Sequence, residues 1–170
     1  MAIAHPDFDY VPDQISLVPH KFRADTQELQ TAGKDIDWKP LPDFGILGKS
    51  IASKLNAEYY EQQTATKSVL TGNKCPHILS ILTHGLGEGE TDADELDPMK
   101  RSGLAFSGAN HSTEHLLLAN EVATLDLHRN ELTLLVACET ALGDMGVMEY
   151  TVALELGKVN RKLGNLRLVK

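Results

Sequence analysis

The chain predicts a single α/β domain, residues 1–170, built on a mostly parallel sheet with helices on both faces. Two near-continuous apolar runs, His77 to Thr83 and Glu131 to Ala137, have the length of strands buried on both sides. Stretches of helical periodicity alternate with the strand-like runs, as βαβ units require. A length of 170 residues with 42% hydrophobic and 24% charged content lets one core form without disulfide or metal staples.

The elements follow in order. Met1 to Ala4 reads as a short strand cut into by Pro6. Asp7 to Pro42 carries Pro12, Pro19, Pro40 and Pro42 among many charges, so it reads as a long irregular excursion with a short helix near Asp25 to Thr31. From Gly45, Ile46, Leu47, Ile51 and Leu55 recur at helical spacing with Lys49, Ser50 and Lys54 opposite, predicting an amphipathic helix. Ala57 to Tyr60 suits a strand. Thr64 or Thr66 suits the cap of a short helix through Leu70, stopped by Gly72. The first apolar run then ends at His84 and Gly85. An acidic loop (Gly87 to Asp97), a strand or hairpin (Gly103 to Gly108) and a helix (about Glu114 to Leu125) separate it from the second run, which ends at Cys138. A helical stretch near Glu149 to Lys162 and a short apolar run, Leu166 to Val169, close the chain. No repeat or low-complexity tract interrupts it.

The formal charge of −8 argues against nucleic acid as a partner, since phosphate binding needs a basic patch. Met1 to Ala4 is too short for a signal-peptide core or a membrane span, so no membrane association is expected. The only cysteines are Cys75 and Cys138. Reduced thiols in the cytoplasm are the default for such a chain, and a disulfide between the two ranks low.

In parallel sheets, sites gather at the carboxyl ends of strands, and His84 and Cys138 both stand there. A cysteine attacks a carbonyl as thiolate, and a free thiol with a pKa near 8.5 holds little thiolate at neutral pH. A nearby imidazole can take that proton and later protonate the leaving amine. Strands about 5 Å apart bring such residues within reach however distant they are in sequence. Gly85 follows the histidine, and its N–H with that of Cys138 suits an oxyanion. Gly143 to Gly146 would give the cleft a flexible wall. The bland alternatives are a packed strand-end cysteine and a histidine satisfied in a turn.

The stretches Ile81-Leu82-Thr83-His84-Gly85 and Val136-Ala137-Cys138-Glu139-Thr140-Ala141-Leu142-Gly143 resemble the two signature motifs of CHAT domains, caspase-like cysteine peptidases often fused to TPR repeats. Ala2 to Phe8 is similar to the family's first strand, Leu41-Pro42 and its helix to the lead into the second, and Thr64 to Lys67 with Pro76 to Leu79 to the approach to the histidine. Gly103 to Gly108 and Leu125 to Leu127 match the region between the motifs. The resemblance implies a caspase-like three-layer α/β/α fold and peptide-bond hydrolysis. It makes His84 the base, Cys138 the nucleophile and Gly85 an oxyanion donor, with no cofactor and no metal. Its partners would be a protein or peptide substrate and a TPR-containing partner or a missing TPR region. Leu82 and Val136 depart from the small residue and the serine that many members carry there. Members also continue past the cysteine with further strands, one bearing a tryptophan, whereas here the only tryptophan is Trp38. The last strands of the sheet are therefore expected to be short or absent, as in a fragment of a larger protein. The alternative function is an inactive, truncated CHAT domain serving as a protein-interaction module.

Other residues carry weaker signals. His111 and His115 stand four apart, but the intervening residues form no metalloprotease motif, and Ser112 or Thr113 better suits a helix cap. Glu88, Glu90, Asp92, Asp94, Glu95 and Asp97 lack the full EF-hand pattern and read as a solvated loop. Cys75 reads as structural. No Cys-x-x-Cys supports a redox enzyme.

Overall fold

The computed structural model describes residues 1–11, 36–72, 75–87 and 102–139, with Gly87, Cys138 and Glu139 described by backbone alone. Six strands form one sheet: β1 (Ala2–Pro6), β2 (Tyr59–Gln62), β3 (Ile78–Gly87), β4 (Ser102–Ala105), β5 (Leu116–Leu118) and β6 (Leu132–Glu139). β1 runs parallel to β2 and β3, and β3 runs parallel to β6. β4 is antiparallel to both β3 and β5. The half of the sheet containing the two apolar runs is therefore parallel, and the other half is antiparallel.

β3 organises the sheet. β6 lines one edge over Ile78–Gly85. The other edge is divided: β1 pairs with Ser80–Leu82, and β4 pairs with Gly85–Gly87. The period-two alternation of β3 then sorts its side chains to two faces. Leu79 and Ile81 join Ile3, Leu70, Phe106 and Leu117. Leu82 meets Ala4, Phe44 and Val136, and Leu86 meets Phe8, Trp38, Leu116 and Leu118.

Helix α1 (Pro42–Leu55) covers the face of Leu82. Pro42 opens it, where the missing N–H is no loss, and Asn56 ends it in the left-handed conformation at φ 48°. The helix is where the sequence predicts it, but its buried stripe is different. Phe44, Gly45, Gly48 and Ala52 face the sheet, while Ile46 and Leu47 are exposed at 72% and 45%. The reason is close approach: a Cβ on Gly48 would lie 2.4 Å from the Cβ of Ala4. Small residues let the helix seat on β1, Ile51 packs beside them, and Ile46, Leu47 and Leu55 turn outward. On the opposite face lies α2 (Lys67–Thr71), which starts after Thr66 and stops at Gly72, as its sequence predicts. Thr66 caps it without a side-chain bond to the helix backbone.

The expected helix over Glu114 to Leu125 is replaced by three short pieces. A 3₁₀ turn spans Thr113–His115, β5 follows, and α3 covers Ala119–Val122. Leu116, Leu117 and Leu118 are all buried, so an unbroken leucine triplet forms an interior strand rather than one side of a helix. Ser112 does cap, accepting the Glu114 N–H at 3.2 Å. Lys67 reaches across from α2 to both carboxylate oxygens of Glu121 (2.7 and 2.8 Å) and to the Leu116 carbonyl (2.8 Å), which ties α2 to β5 and α3.

β1 extends one step past the expected break. Pro6 is paired with Gln62, but the register shifts at His5, which sits at φ 48°. The proline is thus accommodated by a bulge that turns the chain away from β3. The predicted helix near Asp25 to Thr31, the acidic carboxylates 88–97, the glycine pair 143 and 146, and the elements at 149–162 and 166–169 lie outside the described residues. Among the described residues, no helix is long and apolar enough to cross a membrane.

Candidate active site

His84 lies where β3 changes neighbours. Leu82 is the last residue of β3 paired with β1, and Gly85 is the first paired with β4. Parallel and antiparallel partners cannot continue one ladder, so this edge of β3 changes partner between Leu82 and Gly85. Thr83 bridges the change by donating its hydroxyl to the Ala105 carbonyl at 2.6 Å. His84 therefore does not end its strand as expected, since β3 runs on to Gly87.

The imidazole of His84 is only 8% exposed. Phe8 and Trp38 pack against it, with ring centroids at 5.3 and 5.5 Å. Its Nε2 lies 2.8 Å from the backbone carbonyl of Lys39. A carbonyl only accepts, so Nε2 carries the hydrogen and Nδ1 keeps its lone pair. Nδ1 is buried and has no hydrogen-bond partner among the described residues. Burial among aromatic rings holds the pKa below the ordinary histidine value, and the Lys39 bond offsets this in part. The resting ring is thus a neutral imidazole with one uncommitted basic nitrogen.

Cys138 stands in β6 directly across from His84, as Cα partners in the parallel β3–β6 ladder. Both belong to neighbouring strands, so strand geometry alone brings residues 54 positions apart to within one inter-strand spacing. Gly85 is the next position of the same ladder, paired with Glu139 on one side and Leu104 on the other. It is engaged with a partner inside the protein.

The remaining candidates fall elsewhere. His111 is exposed, with Nε2 at 2.8 Å from the Asp9 carbonyl. His115 is half-buried in the 3₁₀ turn, so the two do not share a helix face. Burial lowers the pKa of His115. Cys75 is a free thiol beyond the amino end of β3, away from His84, and its sulfur accepts the Arg129 N–H at 3.1 Å. Its sulfur, an Asp126 carboxylate oxygen and a His128 ring nitrogen lie within 4.8 Å of one another, a donor set suited to a metal such as zinc. Asp126 and His128 are both exposed.

The residues that surround His84 were not legible as site residues. Trp38 is 46 positions upstream of the histidine and stands in a proline-rich stretch with no periodicity. Phe8 follows the first strand, and the Lys39 contribution is a backbone carbonyl, which no sequence pattern encodes. The one available signal was a lone tryptophan and a phenylalanine, both buried at 2%, in segments otherwise read as loop. The family model described as CHAT domain matches residues 1–157. No curated protein and no solved structure matches the chain.

Proposed function

This chain belongs to the CHAT domain family, and from that premise we propose that it is a cysteine endopeptidase of the caspase-like kind, acting through Cys138 and His84. The observation that carries the proposal is the β3–β6 register, which pairs His84 with Cys138 along the edge of β3 opposite the one shared by β1 and β4. Positions 134 and 136 of β6 belong to the same face of the sheet as Leu82. In the same ladder Cys138 is the position two residues on from Val136 and directly opposite His84.

His84 Nδ1 removes the thiol proton as the sulfur attacks the scissile carbonyl. The amides of Gly85 and Cys138 stabilise the oxyanion, which requires Gly85 to exchange its present partner for substrate. The imidazolium then returns the proton to the departing amine, and water releases the acyl group through the same nitrogen. Burial disfavours the charged form of the His84 ring, which favours the neutral imidazole as the base. The charged ring, once formed, is a correspondingly stronger acid toward the leaving group. This chemistry needs neither metal nor cofactor. A cytoplasmic setting and a TPR-containing partner or adjoining TPR region complete the proposal.

The test is labelling with peptidyl chloromethyl ketones bearing Arg, Lys or Asp at the leading position, on wild type, Cys138→Ala and His84→Ala. Modification at Cys138 that depends on His84 and prefers one side chain is the expected result. Equal reactivity of Cys138 and Cys75, unchanged by His84→Ala, would refute the peptidase and fit a domain used only for binding.

A further inference from the structure

Asn110 occupies a turn that follows β4 and is docked on the chain after β1: its N–H donates to the Phe8 carbonyl at 3.0 Å, and the Gly108 N–H donates to the Asp7 carbonyl at 3.0 Å. From there its side chain grips the backbone of Trp38 at two points. Oδ1 accepts the Trp38 N–H at 2.8 Å, and Nδ2 donates to the Trp38 carbonyl at 3.1 Å. The second hydrogen of Nδ2 goes to an Asp9 carboxylate oxygen at 2.8 Å. One partner is a donor and two are acceptors, so the amide has a single orientation and both of its hydrogens are used. Residues 36–40 belong to no helix or strand. The described attachments of this stretch to the body are few: the packed Ile36 side chain, the buried Trp38 ring, the Asn110 clamp, and the Lys39 carbonyl on His84.

We propose that Asn110 is a positioning residue for the dyad: by clamping the Trp38 peptide it fixes the Lys39 carbonyl against Nε2 of His84, and so keeps Nδ1 as the free base. This rests on the peptidase reading for its catalytic consequence but not for its geometry. Neutral imidazole has two tautomers, and a histidine protonated on Nδ1 instead would have no basic nitrogen for the thiol. The Lys39 carbonyl selects between them only if it stays in place. Without the clamp, the Trp38–Lys39 peptide is free to rotate about a ring that stays buried.

The test is ¹⁵N NMR of the histidine side chains in the full chain, with His84→Gln used to assign the His84 signals among the seven histidines. In wild type, Nε2 is expected at a protonated shift and Nδ1 at an unprotonated one. In Asn110→Ala both are expected to move toward the average of a tautomer mixture, and chloromethyl ketone labelling at Cys138 is expected to slow by about 10–100-fold, the range for losing an outer partner of a ligating or reacting histidine. Asn110→Asp keeps the acceptor for the Trp38 N–H but sets an oxygen against the Trp38 carbonyl and Asp9. It is expected to shift the tautomer in the same way, and it carries the test should the alanine variant fail to fold. A folded variant of either kind with wild-type ¹⁵N shifts would overturn the proposal. The NMR result is independent of activity: a fixed tautomer in wild type that Asn110→Ala scrambles, in a protein that labels no faster at Cys138 than at Cys75, would uphold the clamp and sink the peptidase reading.

Discussion

Lys67→Met should be among the most damaging substitutions outside the site, and Lys67→Met with Glu121→Leu among the more benign. Lys67 and Glu121 are 4% and 6% exposed and bonded to each other through both carboxylate oxygens. Removing the lysine leaves a carboxylate in the interior with, among the described residues, only the Leu118 N–H, at 2.8 Å, to hold it. Breaking one side of a buried pair typically destabilises by about 3–5 kcal/mol, and that range is expected here. Burial lowers the Lys67 pKa more than Glu121 raises it, so the native chain binds that proton less tightly than the unfolded chain does. The charged lysine is therefore a net burden that its partner offsets only in part. Replacing both residues by apolar ones removes the burden, a change worth roughly 0–4 kcal/mol of added stability. It also orphans the Leu116 carbonyl and the Leu118 N–H, at about 1–3 kcal/mol each. At the middle of these ranges the losses exceed the gain by about 2 kcal/mol, so the double variant should lie roughly 2 kcal/mol below wild type, short of the loss in either single. Urea unfolding of wild type, both singles and the double gives the comparison directly. If the double loses as much as the two singles added together, the pair is not acting as a buried unit and the reasoning fails.

Gly48→Ala should destabilise by about 1–3 kcal/mol, the overpacking range, because the new methyl meets the Cβ of Ala4 at 2.4 Å; thermal melts check it, and Ala4→Gly in the same chain should recover much of the loss. Native His84 has a pKa below the unfolded value of 6.5, so its contribution to stability is complete above that pH and is lost as the pH falls from 6.5 toward the native value. His84→Gln should accordingly show a shallower loss of unfolding free energy between pH 7 and 5 than wild type. Trp38→Ala should cost about 3–5 kcal/mol in denaturant unfolding and, by letting water reach the ring, raise the His84 pKa measured by NMR titration.

The sequence displayed the strands that carry His84 and Cys138 because each has a plain cause. An apolar run of strand length has few ways to be buried, and β3 and β6 occupy the expected positions with His84 and Cys138 in one register. The order of short helices around Thr66 and Pro42 was legible for the same reason, since caps and prolines act locally. Orientation was less legible than position. The aliphatic stripe of α1 predicts a buried face of Ile46, Leu47, Ile51 and Leu55, yet the packing is governed by Gly48 against Ala4, and periodicity gives glycine no weight. The leucine triplet of β5 fits a helix and a strand equally in so short a window, and only its pairing with β4 decides between them.

The surroundings of the histidine were the least legible part, and the topology explains why. β1 can follow β3 only as far as Leu82, because the bulge at His5 and the ring of Pro6 turn it away. β4 arrives from the opposite direction and begins at Gly85. Among the described residues no strand pairs with that edge of β3 between Leu82 and Gly85, and the cover over His84 comes from irregular chain. Phe8 from just past β1 and Trp38 from the stretch before α1 fill the space, and Asn110 from the turn past β4 secures the second of these. Each comes from a segment without periodicity, and none announces a role on its own. The same irregularity gives the site a fixed acceptor: a ladder carbonyl at that level would be occupied by a neighbouring strand, whereas the Lys39 carbonyl is available to receive Nε2–H. The change of partner along β3 thus brings in the irregular chain whose Lys39 carbonyl selects the basic nitrogen of His84.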